Sequence, residues 1–405
     1  MKPKKLLAEL VACAAMSLFA AAPSADAPHN DGVDRTDPNF VKASLLVFGP
    51  GEELYGCAGH IAFRLECPTF KLDYAFSYEG EAASDQILKF FSGRLKMGMF
   101  AIPTQEFLKQ YIETGRGCRQ YVLDLSPVAK VRLWKLFDDL VAKGADLPYD
   151  YIKRGCAQST LSTLLTAIRP ERIESAEWPE KFRQSRRELL HSYIADSPWT
   201  CLLLHMISGP EADYAPTMVD KIITPDDMLD YLRRVRVEGR PILTAEPVEI
   251  LPQTLNRDKC FISPLMVAAF LVLLALIGLF WLTLPISGFL LTLQMVIGLA
   301  ETYIVFVSDL PASSWNWLLI PFNPLPLVFW RWRRYWAWPF VAVLVAWEAF
   351  MLLSPHRLTD PTYLVMVMAY IIVYANAGGN IGLFVTRWIG SWTASGPCRH
   401  FCTDT

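Results

Sequence analysis

Strong net charge is missing from this sequence. Its 405 residues carry 38 Lys and Arg against 40 Asp and Glu, a formal charge of −2. No stretch interleaves basic with aromatic side chains. That balance offers no footing for a nucleic-acid partner, whose phosphates are met by clustered cations. Internal repeats are absent, which removes repeat architectures. Histidine is scarce, at six, so a general base of that type comes from a short roster. Between the N-terminal leader and residue 260 no apolar run is long enough to cross a bilayer.

What is present is an apolar excess, 53% of residues, with a mean hydropathy of +0.25. It is concentrated after Cys260, so a soluble half is followed by a membrane half. The length allows two or three domains. Lys2, Lys4 and Lys5, the apolar stretch 6–22 and the small-x-small Ala25-Asp26-Ala27 form a secretory signal. An uncleaved anchor is the alternative, and either places the soluble half outside the cytoplasm. Leu10-Val11-Ala12-Cys13 imitates a lipoprotein cleavage box, but the apolar run before it is short and contains Glu9. The expected organisation is therefore 1–27 signal peptide, 28–259 extracytoplasmic domain, 260–390 transmembrane domain and 391–405 cytoplasmic tail.

The stretch 149–168 organises the soluble half. A turn at Arg154-Gly155 leads to Cys156, followed at helical spacing by Leu161, Leu164, Leu165 and Ile168. A thiol in the first turn of a helix meets unpaired N–H groups and the positive dipole end, which favour a thiolate. A buried, inert helix cysteine is the competing reading. A nucleophilic thiol needs a base that is adjacent in space rather than in sequence. His60 is the best candidate, since it follows a glycine-rich loop and opens the strand 60–65. The other reading is a hydrogen-bonded core histidine. His29, His356 and His400 lie in a linker, a short loop and a tail, and His191 and His205 in helical segments of mixed polarity. Asp73, on the next strand, is the candidate to orient His60. Tyr55 and Tyr151 are candidates to line the site, and Cys57 is a weaker rival nucleophile. An exported chain with nine cysteines raises the question of disulfides, and Cys57 with Cys67 is the favoured pair.

Strands are expected at 43–48, 60–65, 71–78 and 119–125, with helices near 85–91, at 104–113, and from Ser126-Pro127 to Lys143. Mostly helical, polar sequence fills 170–220, and Thr224 caps a further helix. The soluble half is thus α+β. Beyond it, 262–282, 286–307, 338–353 and 363–385 are apolar enough to span about 30 Å of hydrocarbon. The shorter 315–330 is broken by Asn316, Asn323, Pro324 and Pro326. Five crossings put Arg331, Arg333, Arg334 and Arg387 on the cytoplasmic side, in line with the positive-inside rule. Glu301, Glu348 and Asn323 are costly in a membrane. They either bind a polar head group or acceptor amine, or hydrogen-bond each other to fix helix packing.

Several of these segments resemble a known family. Val47-Phe48-Gly49-Pro50-Gly51-Glu52-Glu53-Leu54-Tyr55 and Gly59-His60-Ile61-Ala62-Phe63-Arg64 resemble the opening of the periplasmic domain of Lnb-type lipoprotein N-acyltransferases. Asp73-Tyr74, Phe76-Ser77-Tyr78-Glu79-Gly80, Tyr149-Asp150-Tyr151, Gly155-Cys156 and Phe322-Asn323-Pro324-Leu325 are similar to further family segments. The resemblance implies a permuted papain-like (NlpC/P60-like) domain followed by an all-α bundle of about five membrane helices. It also implies transfer of an acyl chain from a phospholipid to the N-terminal amine of a diacylglyceryl-cysteine lipoprotein. Carried over, Cys156 would be the nucleophile and His60 the base, whereas Asp73 as third group, and Tyr55, Tyr151, Glu301 and Asn323 as substrate contacts, rest on their placement in this sequence. The expected setting is the inner membrane, multi-pass, with the N-terminal domain in the periplasm, and no cofactor or metal is called for. Arg154-Gly155 and Ala157-Gln158 depart from the Asp-Asn and Ser-Thr that flank the family cysteine. A membrane-tethered cell-wall cysteine peptidase or amidase, or a non-catalytic binding module, are the alternatives.

Overall fold

Alternating apolar residues between positions 42 and 122 build a sheet with two covered faces. The computed structural model describes residues 34–379, apart from 35–36, 38–39, 53–55, 81–85, 145, 151–154, 176–177, 216, 244–245, 257–260, 282, 311 and 355–359. The signal peptide, the cytoplasmic tail, Tyr55, Tyr151 and His356 therefore lie outside the described residues. The strands are β1 (Lys42–Phe48), β2 (His60–Cys67), β3 (Leu72–Gly80), β4 (Lys96–Pro103), β5 (Cys118–Val122), β6 (Leu147–Pro148), β7 (Ile173–Ser175), β8 (Val235–Val237), β9 (Arg240–Pro241) and β10 (Val248–Leu251). The main sheet runs β10-β5-β1-β2-β3-β4-β6, and β7-β8-β9 form a second, small sheet. The soluble-half helices are α1 (Gln86–Phe91), α2 (Thr104–Glu113), α3 (Pro127–Lys143), α4 (Cys156–Ile168), α5 (Arg186–Ile194), α6 (Pro198–Ile207) and α7 (Pro225–Leu232).

One face of the main sheet carries Leu45, Ile61, Phe63, Leu65, Phe76 and Tyr78. Against it pack Leu133 and Phe137 of α3 and Ala157, Leu161, Leu164 and Ile168 of α4. The opposite face carries Leu46, Phe48, Ala62, Ala75 and Cys118 beneath Phe107 and Tyr111 of α2. Local signals set most helix ends. The Ser126 side chain accepts from Ala129 N–H, with Pro127 next in line, and Gly144 ends α3. Thr224 and Asp227 form a capping box at α7. Thr104 begins α2 without capping it, and its hydroxyl donates to Asp73 at 2.6 Å instead.

Two expectations are corrected in the soluble half. Strand β4 has no counterpart in the sequence reading, because Met97-Gly98-Met99 hides its alternation. Its pairing with β3 makes it a strand. The favoured Cys57–Cys67 disulfide is not formed, and both side chains are buried. They flank β2, and eight extended residues at about 3.3 Å each hold the two far beyond bridging distance.

The apolar half contains α8 (Pro264–Phe280), α9 (Thr283–Phe306), α10 (Arg333–Leu353) and α11 (Thr362–Gly379). Among the described residues α9, α10 and α11 are long and apolar enough to cross a membrane, and α8 is somewhat shorter. Four apolar helices thus stand among the described residues where about five were expected. Residues 315–330 form no spanning helix, only short 3₁₀ turns and the single turn Leu325–Val328. Asn316, Asn323, Pro324 and Pro326 break the α pattern. This irregular segment still travels the length of the bundle. Near its start the Ser308 hydroxyl donates to the Phe91 carbonyl of the soluble half. Near its end the Trp336 indole donates to Phe329 O. Helix α10 begins at Arg333 and is about 30 Å long at 1.5 Å per residue. Its far end, at Met351, lies beside His205 and Tyr363. Arg331, Arg333 and Arg334 therefore sit at the end of the bundle away from the soluble half.

A non-helical strand of backbone at membrane depth needs partners for its carbonyls. The polar side chains of the apolar half supply them. Gln294 donates to Pro321 O at 2.5 Å, Asn323 to Ile320 O at 2.7 Å and the Trp347 indole to Trp317 O at 2.9 Å. The Gln294 side-chain oxygen in turn accepts from the Tyr374 hydroxyl. Gly298 lets the segment lie flush on α9, where an added Cβ would meet Asn323 backbone at 2.7 Å.

Gln294→Leu strands both partners of that side chain in an apolar interior, at a cost of about 1–3 kcal/mol. Thermal unfolding of the purified protein in detergent is expected to show a clearly lower midpoint for this variant. An unchanged midpoint would mean that the Gln294 contact does not hold the segment in place.

Candidate active site

Cys156 is the first residue of α4 and is half-buried. Gly155 precedes it in an extended conformation (φ −68°, ψ 171°), and no side chain caps the helix. The N–H groups of the first turn thus have no side-chain acceptor and are free to meet a ligand oxygen. Gly155 also faces open space, since an added Cβ would meet nothing within 4 Å. Helix α4 is held on the sheet by its apolar face and by a 2.8 Å hydrogen bond between Tyr78 and Thr163.

His60 begins β2 opposite Phe48 of β1. Gly59, just before it, has φ +88°, and a Cβ there would come within 2.9 Å of Phe48 O, so this tight entry demands glycine. The imidazole leans on Phe48 and Tyr111, with ring centroids 6.3 and 6.5 Å away. Its Nε2 lies 2.7 Å from Ser77 Oγ and 3.4 Å from Glu79 Oε1. Ser77 donates to that same carboxylate oxygen at 2.7 Å. With Nε2 so engaged on the Glu79 side, His60 is also close enough to Cys156 for the two to perturb each other's protonation.

The electrostatics favour an ion pair. Burial alone would depress the His60 pKa, but the facing Cys156 thiolate and then Glu79 outweigh it and push it up to about 10. For Cys156, burial would raise the thiol. The His60 imidazolium, its hydrogen bond and the Ile61 N–H outweigh burial and hold the thiol below its ordinary value. Burial by contrast pushes the Cys118 and Cys201 thiols up to about 12.

The sequence candidates separate clearly. Cys156 and His60 meet. Asp73 does not face His60: its carboxylate takes a two-point ion pair from Arg64 at 2.9 and 2.8 Å and the Thr104 hydroxyl. The residue in the orienting position is Glu79. In the β2–β3 register Ala62 pairs with Ser77 and Glu66 with Asp73. Continued by two residues, that register puts Glu79 across from His60 and leaves Asp73 about 20 Å farther along the strand. Strand alternation could have proposed Glu79, because it shares a face with Ser77 and Asp73. Only the register selects among the three.

Glu301 and Asn323 are not part of this constellation. Glu301 is fully buried in α9, where one carboxylate oxygen accepts from Asn316 at 3.2 Å. Asn323 is tied to its own loop through Ile320 O and Leu325 N–H. Both fit the packing role rather than a head-group site. The apolar half is nonetheless close, because Cys57, three residues before His60, shares a buried cluster with Ile304 and Leu310. A cleft of about 940 Å³ opens beside this loop, bordered by Phe48, Gly49, Cys57, Gly59, Tyr193 and Gln253.

This geometry can be set beside known proteins. The family model described as the Lnb N-terminal periplasmic domain matches residues 32–189, which contain His60, Glu79 and Cys156. Over that range the chain is similar to the Lnb N-terminal periplasmic domain. That match is to a periplasmic domain, and the apolar helices that follow it support a membrane-embedded protein. Ribonucleoside-diphosphate reductase subunit beta of Mycobacterium tuberculosis, in two strains, is 28% identical over 131 residues. That covers 32% of this chain and 39% of the reductase, so the chain spans about two fifths of the curated relatives it matches. The likeness is unrelated to the Lnb assignment. No solved structure matches the chain.

Alkylation of Cys156 by iodoacetamide, followed against pH, is expected to persist below the ordinary thiol range near 8.5. Because the imidazolium lowers the thiol pKa, His60→Ala shifts the profile to higher pH, whereas Asp73→Asn leaves it in place. Coincident wild-type and His60→Ala profiles would rule out the ion pair.

Proposed function

We propose that the protein is a lipoprotein N-acyltransferase of the inner membrane. It moves an acyl chain from a phospholipid to the α-amine of a diacylglyceryl-cysteine, through a thioester on Cys156. The observation that carries this reading is the Cys156–His60–Glu79 constellation, built at an uncapped helix start in an Lnb periplasmic domain that is docked onto apolar helices.

The Cys156 thiolate attacks the ester carbonyl carbon, forming a C–S bond and moving the carbonyl π electrons onto oxygen. Backbone N–H groups of the first turn of α4 receive that oxyanion, a kind of contact worth about 3 kcal/mol in other enzymes. Collapse expels the glycerol oxygen, which takes the proton of the His60 imidazolium. Neutral His60 then accepts a proton from the incoming amine as its nitrogen attacks the thioester, and the thiolate leaves. Glu79 holds the ring through Ser77 and stabilises its cationic form. Asp73 is left with a structural role, in the ion pair with Arg64. The open space at Gly155 gives the acyl group an approach to sulfur. The nearby membrane end of α9 explains why such a thiol site sits on a lipid-embedded base.

The test is expression in a strain depleted of its own lipoprotein N-acyltransferase, with mass spectrometry of a lipoprotein's N-terminal peptide. Wild type is expected to add a third acyl chain, and Cys156→Ala or His60→Ala to add none at equal membrane abundance. A diacylated peptide in every case, despite good expression of wild type, would reject the assignment. With purified enzyme, Glu79→Gln is expected to cut kcat by about 10²-fold, the scale of acid–base assistance. Since Glu79 raises the His60 pKa, its loss also moves the alkaline limb of kcat/KM to lower pH. An unmoved limb would remove Glu79 from the mechanism.

A further inference from the structure

A second group of thiol and imidazole side chains lies outside the candidate active site. His191 is near the end of α5, and Cys201 and His205 are one turn apart on α6. Residues at i and i+4 share a helix face, and the contact between α5 and α6 brings His191 onto that face. His191 Nδ1 is 3.0 Å from Cys201 Sγ, His205 Nε2 is 3.9 Å from it, and all three atoms lie within 4.8 Å of one another. We propose that His191, Cys201 and His205 bind a structural zinc ion at the junction between the periplasmic domain and the apolar helices.

The spacing fits the ion. With Zn–S near 2.3 Å and Zn–N near 2.0–2.1 Å, tetrahedral ligand atoms stand about 3.3–3.6 Å apart. The two sulfur–nitrogen distances, 3.0 and 3.9 Å, straddle that separation, and the two nitrogens, within 4.8 Å of each other, need to close by about an ångström to complete the set. A Cys–His hydrogen bond alone occupies one imidazole. A second imidazole converging on the same sulfur is what a metal requires and a simple core contact does not. The charge balance also suits a cation. The nearest fixed positive charge, Arg187, is taken by Asp213 at 2.8 Å and by the Ser208 and Gly209 carbonyls. Asp360 adds a carboxylate in the neighbourhood of Cys201. A small cavity of about 30 Å³, large enough for a water, borders His205 and Asp360 next to this cluster.

The place is structurally consequential. Helix α6 is the platform on which the apolar half docks: Tyr363 donates to Leu202 O and Asn316 to Met206 O. Gly209 N–H, just after α6, donates to Ala312 O at 2.6 Å. An ion clamping α5 to α6 would fix the angle at which the periplasmic domain meets the membrane.

The experiment uses full-length protein purified in detergent without a polyhistidine tag, loaded with zinc, desalted and assayed by elemental analysis. About one zinc per chain is expected for wild type and for Cys156→Ala, with a drop of about tenfold or more in Cys201→Ser and His205→Gln. Loading with cobalt in place of zinc is expected to give a thiolate-to-cobalt charge-transfer band that Cys156→Ala keeps and Cys201→Ser loses. Wild type that retains no zinc, or Cys201→Ser that retains as much as wild type, overturns the proposal. A cobalt band lost in Cys156→Ala does the same. The wild-type loading decides the matter even if a variant fails to fold.

Discussion

The antiparallel register of β2 against β1 and β3 is the constraint on which the site depends. Pairing Phe48 with His60 and Ala62 with Ser77 fixes which side chains surround the imidazole. A slip of one residue would turn His60 to the other face of the sheet. Core residues on both faces resist such a slip, because Ile61 and Phe63 pack under α4 while Ala62 packs under α2. The same core seats α4, so its first residue arrives over the start of β2. The thiol, the imidazole and the carboxylate thus come from three elements whose relative placement is one packing decision.

The apolar half obeys a different rule. In hydrocarbon no backbone polar group can be left to solvent, so a segment that abandons the helix must be supplied with partners. Gln294, Asn316, Asn323 and Trp347 do this for the irregular segment, whose Leu318 and Phe322 are buried in the core of the apolar half. Of the residues that looked like ligands for a head group, Asn323 is accounted for by this duty, along with the others just named. Their cost in the membrane is offset by the carbonyls they satisfy. Continuity between the halves runs through the buried cluster of Cys57, Phe90, Ile194 and Cys201 with Ile304 and Leu310. The site loop and the membrane end of α9 are therefore parts of one packed unit.

Much of the site was legible from local signals. A cysteine directly ahead of a 3.6-residue apolar pattern reads as a helix-start thiol, and α4 begins there. A glycine-rich loop before a β-rich stretch marks His60, and Gly59 is needed there for its positive φ. The orienting carboxylate was not legible, because Asp73 and Glu79 lie on the same face of the same strand. The disulfide expectation failed for a related reason. Two cysteines near in sequence but at opposite ends of an extended strand are far apart.

By itself the sequence determined what short-range chemistry controls: the helix starts at Ser126, Cys156 and Thr224, the division into soluble and apolar halves, and the order of histidine before cysteine. Caps, periodicity and hydropathy act within a few residues, so they can be read without the fold. Only the tertiary structure decided that Glu79 rather than Asp73 faces His60. It also decided that residues 315–330 follow the bundle without a helix, and that His191, Cys201 and His205 converge. Each of these depends on strand register or on how separate helices pack, and those are settled by contacts between residues distant in the chain.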